Sequence, residues 1–523
     1  MSTNDHITSV DNRPELVFAL VGGAGTGLNE LSQALKDELS SFGYKSVDIK
    51  LSSLLTNLKG YTVQTGIGED IRIRHLQKMG NLFRKQINKG SALALAGITE
   101  IRAERAKISK SEDKPAQGLA YILDQLKHPD EIDLLRHVYG PSFLVVAAHE
   151  PRENRVNDLA RKMARIAAQP GKEDKFKGKA SDIIDIDDKE EDEFGQNVRD
   201  TYPKADYFAN LMSAYMRFNV QRFVRLLFGH PFHTPFPDEY AMYHANAVSL
   251  RSSDDNRQVG AIIFNIDDPR NLNNLRKADV IAVGTNEVPR GGGGLYWEQY
   301  ASPDARDQAL LKKGENRADE IKVSALAELI EKIKGQQWFN DTISSTSATK
   351  LAKDLLSNLK GTQFRDIGEF SRPVHAEMAA LIDAARRGVA VDGHSMYVTT
   401  FPCHNCAKHI IAAGIQRVVY LEPYPKSRAG DLYAEEIVLE AVPEKEERNK
   451  VNFIAYSGVA PRQYQQLFSM SQRGAKKGKS LNTWETEKCS LIPICVPQNA
   501  SLLYIVAERQ ALESLPSDIY TRP

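Results

Sequence analysis

Of 523 residues only four are cysteines, at 403, 406, 489 and 495, and only three are tryptophans. Cysteine this sparse excludes a disulfide scaffold, and a reducing, cytoplasmic compartment is the expectation. Neither charge is in excess, since Lys+Arg and Asp+Glu both number 68. Polynucleotide binding is driven by neutralising phosphates, so this balance argues against that class. Long apolar runs are also missing. Stretches such as Phe143–Ala148 are far too short to cross a bilayer. The opening MSTNDHITSVDNRPE is polar and lacks a signal-peptide core. What is present is an ordinary globular composition, 41% hydrophobic and 26% charged, enough for a full core. At about 150 residues per domain the length suggests roughly three domains.

The chain after a polar tail (1–14) alternates strand and helix. Leu16–Val21 (LVFALV) is an uninterrupted apolar run, as a strand buried on both faces requires. A glycine-rich turn and a helix over Asn29–Phe42 follow. Leu119–Leu123 and Phe143–Ala148 repeat the strand pattern around a helical Pro129–Tyr139, which predicts a mainly parallel sheet with flanking helices. The charged Gly171–Gln196 reads as a solvated loop with a short strand at Asp182–Ile186, or as a lid over a ligand. Ala205–Phe228 has helical spacing and closes a first domain, 15–229. Three prolines in His230–Asp238 mark a linker. Beyond it, 239–523 reads as a second domain. It begins with a helix at Tyr240–Leu250 and strands at Val259–Asn265 and Val280–Thr285. A polar helical insertion at about 300–370 precedes helix His375–Gly388, strand Ser395–Thr400, helix Cys406–Ala413 and strand Arg417–Leu421.

The strongest signal is His375-Ala376-Glu377 followed by Pro402-Cys403-His404-Asn405-Cys406. One imidazole and two thiolates are preferred zinc ligands, and three protein ligands leave a position for water. The cysteines fall where a strand meets a helix, whose N-terminus favours the ionised thiolates. Zinc at such a site supplies hydroxide near neutral pH. Glu377, beside His375, would carry protons from water to ring N3 of cytosine and then to departing ammonia. The pattern H-x-E…P-C-x-x-C is that of zinc nucleobase deaminases. The alternative is a closed structural zinc completed by His404, His394, Cys489 or Cys495.

On these residues, and on Ser249–Asp255 (SLRSSDD), Arg257–Ala261 (RQVGA), Gly284–Gly291 (GTNEVPRG), Val374–Ala380 (VHAEMAA), Thr399–Cys406 (TTFPCHNC) and Tyr420–Tyr424 (YLEPY), the region 240–465 resembles the deoxycytidylate deaminase family of the cytidine deaminase superfold. The resemblance implies a three-layer α/β/α zinc domain with zinc on His375, Cys403 and Cys406 and Glu377 as proton shuttle. It implies nucleotide contacts from Asn286, Thr399 and Tyr424, and a homo-oligomer. Phosphate ligands are expected among Arg251, Arg257, Arg290, Lys426 and Arg428, since arginine is the best bidentate donor.

Gly22-Gly23-Ala24-Gly25-Thr26-Gly27 sits between a strand and a helix, the setting of a phosphate-cradling P-loop. Leu28 and Asn29 stand where that motif has Lys and Ser/Thr, so phosphoryl transfer loses its lysine and its magnesium-binding hydroxyl. Gly22, Gly23, Gly25, Gly27 and, at a strand end, Asp124 remain as nucleotide-binding candidates. His149–Arg155, Arg161 and Arg165 either approach phosphates or form a solvated helix face. A P-loop-kinase-like domain ahead of such a deaminase resembles the bacterial anti-phage dCTP deaminases. That resemblance implies conversion of dCTP, and of dCMP, to deoxyuridine nucleotides. It also implies an inhibitory RNA or regulatory nucleotide as partner. The other readings are a housekeeping dCMP deaminase, a nucleic-acid editing or binding protein whose basic loop would be Lys476, Lys477 and Lys479, and a nucleotide sensor with structural zinc.

Overall fold

The computed structural model describes residues 13–57, 68–190, 192–254, 257–266, 277–298, 306–307, 317–334, 345–359, 370–424, 426–470, 484–485, 488, 492–496 and 501–516. Cys489 and the basic loop at Lys476, Lys477 and Lys479 lie outside them, as does about half of 300–370. Two six-stranded sheets organise the molecule, an α/β protein.

The strands are β1 (Leu16–Val21), β2 (Lys45–Lys50), β3 (Leu119–Leu126), β4 (Phe143–His149), β5 (Tyr207–Asn210), β6 (Gly260–Ile266), β7 (Ala278–Thr285), β8 (Ser395–Thr400), β9 (Arg417–Glu422), β10 (Ile437–Val438), β11 (Val451–Ala455) and β12 (Gly458–Val459). The first sheet runs β12-β5-β4-β1-β3-β2 and is parallel except for β12. Its central strands carry helices on both faces. Val17, Ala19 and Val21 enter one apolar cluster, and Leu16, Phe18 and Leu20 enter another, the period of two that a strand imposes. β2 (KSVDIK) was not legible as a strand because its lysines and aspartate face solvent at the sheet edge, where charge discourages further pairing.

Two expectations are corrected here. The segment expected to be a strand at Asp182–Ile186 is part of a helix, Asp174–Asp188. Ala180, Ile183 and Ile184 share one face of it and pack on Leu159 and Met163. Ala205–Phe228 is not one helix. Its four residues Tyr207–Asn210 are wholly buried as β5 beside β4, and the helix is Met216–Leu227.

The second sheet runs β10-β11-β9-β8-β6-β7, with β6 antiparallel to both its neighbours. Ala261 and Ile263 face helices Ala376–Arg386 and His404–Ala412. Ile262 and Phe264 face helix Pro237–Ser249. The close helix approach rests on glycine. A Cβ at Gly284 would stand 2.1 Å from the Ala376 carbonyl and 2.3 Å from the Ala380 nitrogen, and one at Gly260 would stand 2.0 Å from the Ala245 carbonyl.

The sheets share a core, since one cluster runs from Val17 and Val145 to Ile262 and Val419. Glu239 also joins them. It accepts two 2.9 Å bonds from Arg222 and one of 3.0 Å from the Val459 nitrogen, all buried. The next residue, Asp238, faces the other way and pairs with Arg417 at 2.9 Å, which holds its carboxyl below the usual range despite burial. The stretch expected to run as one unit from 239 to 523 divides in space. β12 extends the first sheet, and in helix Ser501–Leu512 Glu508 binds Arg105 at 2.7 Å. Of the expected insertion, helices Arg317–Lys334 and Ala348–Asn358 are described and pack on each other through Leu326, Ile330, Ala352 and Leu356.

Candidate active site

At the C-terminal end of β8 the chain passes through Phe401 and Pro402 into helix His404–Ala412. Cys403 is its N-cap and Cys406 lies in its first turn. His375 caps the neighbouring helix Ala376–Arg386, placing Glu377 in that helix's first turn. The His375 Nδ1 stands 3.4 Å from each sulfur, and the three donor atoms lie within 4.8 Å of one another. No further described His, Cys, Asp or Glu joins this group. His394 precedes β8 and so sits at its far end, and Cys495 is buried in the first sheet's core. Neither can close a fourth position.

The electrostatics fit a cation. Hydrogen bonding from Cys406 and His375 pulls the Cys403 thiol down to about 3, against the cost of burial. The bond to that thiolate raises His375 to about 9, and Cys406 rises above the usual thiol range because its neighbour holds the charge. Thiolate and imidazolium thus face each other, with protons held where a dication would displace them. A soft donor set of one imidazole and two sulfurs suits zinc. Glu377 is only 5% exposed, and burial pushes its carboxyl up to about 7. A buried acid poised near neutrality is suited to taking and returning a proton.

The other predicted residues fall in different places. The Asn286 side chain accepts from the Val259 nitrogen at 2.7 Å and donates to the Arg257 carbonyl at 2.8 Å. Thr399 Oγ1 accepts from the Gly260 nitrogen at 3.1 Å. Both therefore shape the wall next to the cluster. Arg251 lies 3.7 Å over the Trp297 ring and donates to the Leu295 and Tyr296 carbonyls. It shares a cavity with Arg290, whereas Arg257 pairs with Glu422 and Arg428 with Asp431. Tyr424 lines a cavity between the two sheets.

Sequence reasoning missed Glu287. It is buried, accepts from the Ser253 amide and hydroxyl at 3.1 and 2.7 Å, and its carbonyl receives the Val374 nitrogen at 3.0 Å. It thereby fixes the strand leading into His375. A charged residue inside a turn motif beside the ligand loop was the available signal.

The glycine loop is packed differently. Gly25 takes φ +85, and Gly23 has no room for a side chain because a Cβ there would meet Arg155 Nη1 at 2.1 Å. The Gly27 amide donates to Glu150 at 3.0 Å, and the Thr26 amide donates to the Gly23 carbonyl. Thr26, Gly25, Gly27 and Asp124 line a groove of about 380 Å³, where burial raises the Asp124 carboxyl. Arg152 pairs with Asp185 and the exposed Arg161 with Asp158.

Fold and site together define an α/β protein with a His/Cys/Cys zinc centre on paired helix N-termini. Residues 236–422 match the cytidine and deoxycytidylate deaminase zinc-binding region. The chain is 47% identical over 57 residues to the deoxycytidylate deaminase of Enterobacteria phage T2, covering 11% of this chain and 30% of that one. It is 36% identical over 93 residues to ComE operon protein 2 of Bacillus subtilis, covering 16% and 49%. The chain thus spans 30% to 49% of these relatives' own length. The dCMP deaminase of cyanophage S-TIM5 aligns over 43% of this chain and all of its own at 16% identity, with a TM-score of 0.22. Among the described residues no helix is long and apolar enough to cross a membrane.

Proposed function

We propose that the protein is a zinc-dependent hydrolytic deaminase of deoxycytidine nucleotides. The observation that carries this reading is the His375–Cys403–Cys406 cluster with the buried Glu377 on the same helix as the histidine. His375 and the two cysteines hold zinc, which when bound acidifies a water molecule and makes it a nucleophile near neutral pH. Glu377 would take one proton of the attacking water as its oxygen bonds to C4, deliver it to N3 of the cytosine ring, and then carry the oxygen's remaining proton to the amino nitrogen as the C4–N bond breaks and ammonia leaves. Asn286 and Thr399 keep the walls of the base pocket in register through the backbone bonds described above. Arg251 with Arg290 meets the phosphates, while Tyr424, which the resemblance sets beside a base, lines the cavity between the sheets.

The substrate includes dCTP as well as dCMP, and draining that pool restrains phage replication. The support is the resemblance to the anti-phage enzymes and the whole additional sheet, which a housekeeping deaminase does not need. The glycine-loop half is proposed to be P-loop-like, a binding rather than a phosphoryl-transferring unit, and the enzyme a cytoplasmic homo-oligomer restrained by an inhibitory RNA or nucleotide. The dCMP-specific reading draws on the phage T2 relative's name. Ammonia release from cytidine, dCMP, dCTP and CTP separates the readings. Preferential dCTP turnover, abolished in Glu377→Ala, is expected. Turnover of dCMP alone overturns the dCTP reading, and turnover by Glu377→Ala overturns the mechanism.

A further inference from the structure

One cavity, of about 350 Å³, is walled by both sheets. It lies at the C-terminal ends of parallel strands: Ala148 and His149 close β4, Leu421 is the last but one residue of β9, and Phe401 follows β8. Such strand ends are where open α/β sheets place ligands, and the volume is within the range of small-molecule pockets. None of the zinc-cluster residues lines it.

Four of its lining residues present a buried polar atom with no hydrogen-bond partner among the described residues: Thr26 Oγ1, Arg155 Nη1, Arg199 Nε and Tyr202 OH. All four can donate. Buried polar atoms are rarely left unpaired, and each is costly unless water or a ligand meets it. Arg155 is 9% exposed, and its Nε is fixed by the Glu150 carbonyl at 3.2 Å. The carboxylates in the same wall are already engaged. Glu150 takes the Gly27 amide, Glu440 the Arg152 amide at 2.8 Å, and Asp431 the Arg428 guanidinium at 3.2 Å. Asp188 stands 3.9 Å from Arg155 Nη1, an ion pair too long for a hydrogen bond. The unmet demand is therefore for acceptors. The opposite wall offers the aromatic rings of Phe401 and Tyr424.

We propose that this cavity binds a phosphorylated nucleoside. Its phosphoryl oxygens accept from Arg155, Arg199, Thr26 and Tyr202, and its base lies against Phe401 and Tyr424. Arginine's planar guanidinium pairs with phosphoryl oxygens through charge-assisted bonds, and aromatic faces take any base. Ser427, in the same wall, donates to the Pro402 carbonyl at 2.8 Å, one residue before the ligand Cys403. An occupant thus bears on the loop that carries both sulfurs.

The test is calorimetry on the full-length, zinc-loaded protein with dATP, dGTP, dTTP and tripolyphosphate. Binding is read without turnover, so its failure leaves the deaminase reading untouched. At least one nucleotide is expected to bind once per chain. Arg155→Gln and Arg199→Gln should each weaken it tenfold or more, and Tyr424→Ala should weaken the nucleotide but not tripolyphosphate. Lys127→Met, in the groove across the glycine loop, should change affinity less than twofold. If Arg155→Gln fails to fold because that residue packs on Gly23, Arg199→Gln with an unchanged Tm decides. The proposal is overturned if no nucleotide binds, if binding ignores the arginine variants, or if Lys127→Met removes it. Equal affinity for tripolyphosphate and every nucleotide overturns the base-binding half.

Discussion

The loop after β1 and the loop after β8 are built alike. Each leaves the C-terminal end of a parallel strand and opens a helix, so each presents a helix N-terminus that favours negative charge. They satisfy it in different ways. After β8 the negative charge is the cysteine pair, held 3.4 Å from an imidazole in a group that fits a metal. After β1 the chain spends its own carboxylate, since Glu150 takes the Gly27 amide, and the Arg155 guanidinium lies against Gly23. The same backbone geometry carries a candidate metal group in one place and a carboxylate cap in the other. The side chains that fill it decide which.

Four measurements break or sharpen that contrast. The largest effect belongs to Glu377→Gln. Its kcat should fall about 10²- to 10⁴-fold, the range for a lost proton carrier, while metal analysis still finds one zinc per chain. Loss of the zinc instead would make Glu377 a structural support. Next is Glu239→Gln, which removes the negative partner of a buried pair that ties the two sheets together. Breaking such a pair costs about 3–5 kcal/mol, and chemical denaturation should show it. A change below about 1 kcal/mol would mean the shared apolar core alone holds the rims in place.

Gly284→Ala comes third. The added methyl meets helix backbone, and overpacking of that kind costs about 1–3 kcal/mol. Because the displaced helix carries His375 and Glu377, zinc affinity should fall with stability, whereas unchanged affinity would separate helix seating from the site. The smallest effect is expected for Glu150→Ala. Removing a helix N-terminal acceptor costs about 1 kcal/mol, seen as a lowered midpoint in urea, with deamination of cytosine nucleotides within twofold of wild type. Stabilisation would show that the glycine loop is strained by its own carboxylate.

The zinc site was readable from the chain because its chemistry is carried by residue types at short spacings: His-x-Glu within one helical turn and Cys-x-x-Cys at a strand–helix junction. The buried strands β1, β3 and β4 were readable because burial on both faces demands uninterrupted apolar residues. β2 and β5 were not, one being charged at an edge and the other too short to carry a period. The helix at Asp174–Asp188 was hidden by its charge, because only Ala180, Ile183 and Ile184 face the core.

By itself, then, the sequence determined the alternating class, the order of the buried strands β1, β3 and β4, and the candidate metal-ligating set, all of which follow from local composition and spacing. The tertiary structure alone decided that Asn286 and Thr399 bond to backbone, that Glu150 fills the glycine loop, and that β12 returns to the first sheet. It also decided that four donors meet in one cavity between the sheets. These outcomes depend on which distant groups are brought within hydrogen-bond reach, and that reach of about 3 Å is set by packing rather than by position along the chain.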